Sequence, residues 1–136
     1  MSRKTAREVA MKLAFARLFG GEDTYEAILE KSGIEEKPTE DDMNYSDEVL
    51  CGIEEHSAEL DEKIAELAIG WSGERMPKVD LSIQRVALYE MMYMDKIPSS
   101  VSINEAVELA KRFGGDRSSA YINGMLGTFA RQIDKE

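Results

Sequence analysis

Two apolar stripes at helical period, joined by a short polar turn, constrain the fold of this chain more than any other feature. In the first stripe Ile103, Ala106, Val107, Ala110 and Phe113 fall on one face. In the second, Tyr121, Ile122, Met125, Leu126, Phe129 and Ile133 do the same. Ser102 and Glu105 stand at capping-box spacing, which predicts a helix start there. Gly114 predicts a left-handed cap at the end of that helix. Gly124, inside the last helix, costs about 1 kcal/mol relative to alanine, which predicts close helix–helix approach at that point.

The remaining chain reads the same way. A first helix is expected from about Arg3 to Phe19, ended by Gly20-Gly21. Val9, Leu13 and Ala16 make one apolar row, and Met11, Phe15 and Phe19 a second. A short helix is expected at Thr24–Lys31 with Thr24 as its cap. The segment Gly33–Asp42, with Gly, Pro and five acidic residues, reads as a solvated loop. From Ser46 to Trp71 apolar residues recur as one long helix, or as two with a break near His56-Ser57. Gly73–Lys78 is a connection containing Pro77. Asp80 is a candidate N-cap for a helix bearing Ile83, Val86, Ala87, Glu90, Met91 and Met94, which Pro98 closes. Strand-like alternation of β-branched residues is absent. The expectation is an all-α, compact bundle of six or seven helices forming one domain over residues 1–136.

The chain has 136 residues and a formal net charge of −10, but the charge is unevenly placed. Residues 1–20 carry Arg3, Lys4, Arg7, Lys12 and Arg17 against Glu8 alone, whereas residues 21–70 hold seventeen acidic and three basic groups. The first helix is therefore locally basic. Cys51 is the only cysteine, so no internal disulfide forms. No secretory leader or membrane-length apolar run is visible, so the expected setting is the cytoplasm, away from membranes.

Catalytic chemistry finds little support. His56 is the only histidine, and no cluster of His and Cys stands at metal-ligand spacing. Cys51 and His56 lack a third group to orient them. Neither a phosphate-binding loop nor a dinucleotide fingerprint occurs. The expectation is a non-enzymatic protein with no metal and no cofactor.

Binding is the better-supported class. Arg3, Lys4 and Arg7 could meet successive phosphates, with Lys12 extending the strip; the alternative is a helix made basic for solubility. The turn Gly115–Ser119 offers the Arg117 guanidinium, serine hydroxyls and free backbone N–H groups to an anion. Two readings of Tyr121 stand. Its ring stacks on an unpaired base, or it belongs to the core, with Ser118 or Ser119 serving as a cap.

The segments Arg3-Lys4-Thr5-Ala6-Arg7-Glu8, Val79-Asp80, Gln84-Arg85-Val86-Ala87-Leu88-Tyr89-Glu90, Pro98, Ile103-Asn104-Glu105-Ala106-Val107-Glu108-Leu109-Ala110-Lys111 and Tyr121-Ile122-Asn123-Gly124 stand in this order along the chain. Together they resemble the NusB family of transcription antitermination factors. Their order spans nearly the whole chain, with the weakest match between Gly20 and Ser46. The resemblance implies two small packed helical subdomains. It implies binding of boxA-type single-stranded RNA from ribosomal RNA leaders, jointly with the ribosomal protein NusE. The pair would then join the RNA polymerase elongation complex with other Nus factors. The RNA contacts it implies are Arg3, Lys4, Arg7, Lys12, Arg117, Ser118 and Tyr121, with Phe15 and Asp80 close by; Asp80–Tyr89 would contribute to the protein partner's surface.

Other readings remain open at this point. One is an RNA-presenting subunit for ribosomal RNA modification, and another is a helical protein-interaction adaptor. Monomer and homodimer are both compatible with the sequence.

Overall fold

The computed structural model describes residues 2–68 and 76–133. They form seven helices: α1 (Arg3–Leu18), α2 (Tyr25–Lys31), α3 (Glu40–Glu55), α4 (Ser57–Leu67), α5 (Lys78–Tyr93), α6 (Ser99–Phe113) and α7 (Ser118–Gln132). No strand occurs among the described residues. Trp71 and the start of the Gly73–Lys78 connection lie outside them.

Helix α5 is the axis of the molecule and packs against α1, α3, α4, α6 and α7. Ten of its sixteen residues are buried, including Ile83, Val86, Ala87, Leu88 and Met91. A helix surrounded on most sides needs more than one apolar stripe, and α5 meets that need. Helices α1, α2 and α3 gather on one side of it, with Ala6, Val9, Ala10 and Val49 fully buried between them. Helices α6 and α7 form an antiparallel pair on the other side, built on Ala106, Ala110, Ile122, Leu126 and Phe129.

The core also contains one polar junction. Glu90 on α5 is fully buried. Its Oε2 accepts from Arg7 Nε of α1 at 2.7 Å and from the Tyr45 hydroxyl of α3. Its Oε1 accepts from Ser102 Oγ of α6 at 2.8 Å. One carboxylate thus ties four helices together. The Tyr45 phenol is held far above its ordinary pKa by burial and by the adjacent Glu90 charge.

Several sequence expectations need correction. Helix α3 starts at Glu40, not near Ser46, because Thr39 and Asp42 form a true capping box: Thr39 Oγ1 accepts from Asp42 N at 3.2 Å and Asp42 accepts from Thr39 N. The Ser102–Glu105 box does not form. Pro98, with φ −60° already suited to a helix start, begins α6 at Ser99, and the Ser102 hydroxyl goes to Glu90. Asp80 does not cap α5, which follows Pro77 and begins at Lys78.

Gly114 is extended (φ −91°, ψ −176°), not left-handed. It is glycine for space, since an added Cβ would lie 2.7 Å from Ser118 Cβ and 2.8 Å from the Ala110 carbonyl oxygen. Gly124 makes no close approach, because a Cβ there would meet nothing within 4 Å. The tight crossing is at Gly52, where a Cβ would sit 2.0 Å from the Tyr89 ring. The expected break at His56 is present between α3 and α4, with the imidazole stacked on Tyr93 at 4.2 Å.

Candidate nucleic-acid interface

Helix α1 distributes its cations among different surroundings. At about 100° per residue, Lys4, Glu8, Lys12 and Phe15 share one stripe, and Phe19 follows just past the helix end. That stripe lies opposite the buried row of Ala6, Val9, Ala10 and Leu13. Arg3 projects elsewhere, and its guanidinium carbon lies 4.4 Å from the Tyr45 ring centroid. Arg7 is only 5% exposed and spends its Nε–H on Glu90. Desolvation would lower its pKa, but the Glu90 hydrogen bond and charge outweigh that and raise it. Arg7 therefore reads as a core cation holding the start of α1 in place.

The centre of the stripe is an ion cluster. Glu8 Oε2 accepts from Lys12 Nζ at 2.8 Å, and Glu8 Oε1 accepts from Arg112 NH1 at 2.7 Å. Lys12 Nζ also donates to Ser32 Oγ at 2.7 Å. Both cations lie over the Phe113 ring, at 4.8 Å for Lys12 and 4.6 Å for Arg112. Burial alone would raise the Glu8 pKa, yet hydrogen bonds and charge from Lys12 and Arg112 hold it below its ordinary value. Two cations share one carboxylate, so the cluster keeps a net positive charge. Arg112 is half exposed and completes it from the last turn of α6. Sequence reasoning missed Arg112; its only signal was the Lys111-Arg112-Phe113 run ahead of the glycines.

The turn from α6 to α7 is braced from inside. Ser118 Oγ accepts from Gly115 N–H at 2.9 Å and donates to Asp80 Oδ2 at 2.9 Å. Ser118 is 5% exposed and Asp80 fully buried, so both shape the turn from beneath. Burial pushes the Asp80 carboxyl above its ordinary pKa, against the Ser118 hydrogen bond. Arg117, at the N-cap position of α7, is exposed. Tyr121 is half-buried with its hydroxyl turned inward. Its ring borders a groove of about 420 Å³ with Leu67, Gly124 and Met125. Burial, then the Asp80 charge, raises its pKa.

Phe15 and Phe19 depart from the broad apolar face expected of α1. Phe15 is half-buried, and Phe19 is 65% exposed, packed edge-to-face on Phe15 at 5.1 Å. The structure thus brings Lys4, Lys12 and Phe15 onto one outward face with Arg112. Arg117 and Tyr121 stand at the next turn of chain. Arg7, Asp80 and Ser118 lie beneath the surface.

Fold and surface together define a small all-helical bundle with an outward face of cations and aromatic rings. The family model for the NusB family matches residues 4–131, and this chain belongs to that family. It is 45% identical to the transcription antitermination protein NusB of Agathobacter rectalis, over 96% of this chain and 100% of that protein. It is 42% identical to the protein of the same name from Natranaerobius thermophilus, over 99% of each. Among solved structures, T. maritima NusB superposes with a TM-score of 0.82 at 30% identity, covering 97% of this chain and 92% of that one. A crystal structure of antitermination factors NusB and NusE in complex with dsRNA has the same fold, with a TM-score of 0.79 at 20% identity, covering 96% of this chain and 97% of that one.

Proposed function

We propose that this chain is a non-catalytic transcription antitermination factor. It binds boxA-type single-stranded RNA of ribosomal RNA leaders together with NusE, and the assembly joins the elongating RNA polymerase with other Nus factors in the cytoplasm. Full-length relatives carrying the antitermination name support this reading. A NusB–NusE–RNA complex on the same fold supports the choice of partners. The observation that carries it is local: a chain of net charge −10 presents an outward face on which Lys12 and Arg112 share a single carboxylate, Glu8, with Lys4 exposed on the same helical stripe.

In this reading the RNA contacts are Lys4, Lys12, Phe15, Arg117 and Tyr121, with Arg3 at the edge of the face. Arg7 sets the position of α1 through Glu90, and Asp80 sets the turn through Ser118. The whole chain acts as one domain. Few free cations face the RNA, so affinity for RNA alone is modest and rises when NusE adds surface.

Titration of a boxA RNA with and without NusE tests this. Cooperative tightening that is lost in Lys4→Glu and Arg117→Glu supports it. Equally tight binding without the partner removes the cooperative element, and indifference to both charge reversals removes the site.

A further inference from the structure

Phe19 is the most exposed large apolar side chain among the described residues, at 65%. Among the described residues it belongs neither to the apolar core nor to the side chains packed against that core. Its ring neighbour among the described residues is Phe15, which meets it edge-to-face with an interplanar angle of 65°. That arrangement fixes the ring while leaving a face uncovered. Next in the chain come Gly20 and Gly21, which have no side chains to shield it. Gly20 turns the backbone away at φ +76°, and space beyond its Cα is open.

The register of this ring is equally specific. Phe19 continues the stripe that begins at Lys4 and passes through Lys12 and Phe15, a run of about 22 Å along the helix axis. Cations on that stripe attract a polyanion, and Arg112 reinforces its centre. A flat apolar ring at the far end of a cationic track suits a partner with alternating charge and flat rings. Single-stranded nucleic acid has that chemistry, because every base offers a π face whatever its sequence.

We propose that Phe19, propped by Phe15, is a stacking platform for one unpaired base of the bound RNA, at the end of the α1 track remote from Lys4. This rests on the RNA-binding reading above and extends it by one contact. The role needs a flat aromatic ring, not mere hydrophobicity. Leucine at position 19 therefore fails, whereas tryptophan serves.

The experiment uses the full chain with NusE and a boxA-type RNA carrying 2-aminopurine at successive positions in separate samples. Wild type and Phe19→Trp should each quench the fluorophore at one position. Phe19→Leu should lose that quenching and bind roughly five- to a hundredfold more weakly. Urea midpoints should match across the three proteins, since the residue is exposed. Unchanged affinity and quenching in Phe19→Leu, with binding lost in Lys4→Glu, overturns the platform and leaves the RNA reading intact. If Lys4→Glu is also without effect, both fall. Loss of self-association in Phe19→Leu, with RNA binding unchanged, assigns the ring to a contact between copies and also overturns the proposal.

Discussion

Arg7 Nε and Glu90 Oε2 lie 2.7 Å apart in the interior, on side chains that are 6% and 1% exposed. Removing one member of such a pair leaves a buried charge without its counter-ion, which costs about 3–5 kcal/mol. Arg7→Met and Glu90→Leu should each lower stability by that order, measured by urea denaturation. The double variant should recover part of the loss, since neither charge is then stranded.

Two glycines should respond in opposite directions. Gly52→Ala forces a methyl group into the Tyr89 ring and should destabilise by about 1–3 kcal/mol. Gly124→Ala fills open space on an exposed helical surface and should stabilise by about 0.5–1 kcal/mol. Thermal melts of the two variants beside wild type check both signs.

The Glu8 cluster should make stability depend on pH. Lys12 and Arg112 hold the folded-state pKa of Glu8 below its unfolded value. The resulting stability is present above the unfolded pKa and disappears as pH falls through the folded one. Glu8→Gln should therefore cost about 1–2 kcal/mol near neutral pH and nothing in strong acid. Asp80 has the opposite sign, because burial raises its pKa and its contribution fades as pH rises. Asp80→Asn keeps an acceptor for Ser118 and should gain stability over wild type as pH rises towards neutrality. Urea midpoints across an acid-to-neutral series distinguish the two slopes.

Salt dependence should separate surface cations from buried ones. Each phosphate contact on single-stranded RNA contributes roughly −0.7 to the slope of log affinity against log salt. Lys4→Gln and Arg117→Gln should each flatten the slope by about that amount. Arg7→Met, wherever it remains folded, should leave the slope unchanged, because its guanidinium is committed to Glu90. Binding measured at four or five salt concentrations gives the answer.

Much of the architecture is legible in the chain itself. The stripe of α7, the short α2 with its Thr24 cap and the break at His56 all follow from local periodicity and capping, and that of α6 does so in part, since Leu109 is buried there and Val107 is not. Those signals reside in residues three or four positions apart, so no distant partner is needed to read them. The basic character of the first helix is legible in its composition, and the family in the order of linked segments along nearly the whole chain.

Only the tertiary structure decided which polar residues are surface and which are scaffold. Arg3, Lys4 and Arg7 look alike in sequence, but Glu90, eighty-three positions away, draws Arg7 into the core while Lys4 stays in water. Asp80 and Ser102 carry the chemistry of helix caps, yet each hydroxyl–carboxylate pairing they enter lies between helices: Asp80 with Ser118, Ser102 with Glu90. Gly52 and Gly124 are indistinguishable by propensity, and only the position of the Tyr89 ring separates them. Phe19 completes an apolar row on paper and stands in solvent in the fold. Periodicity states which face of a helix is apolar; burial depends on what the rest of the chain places against that face.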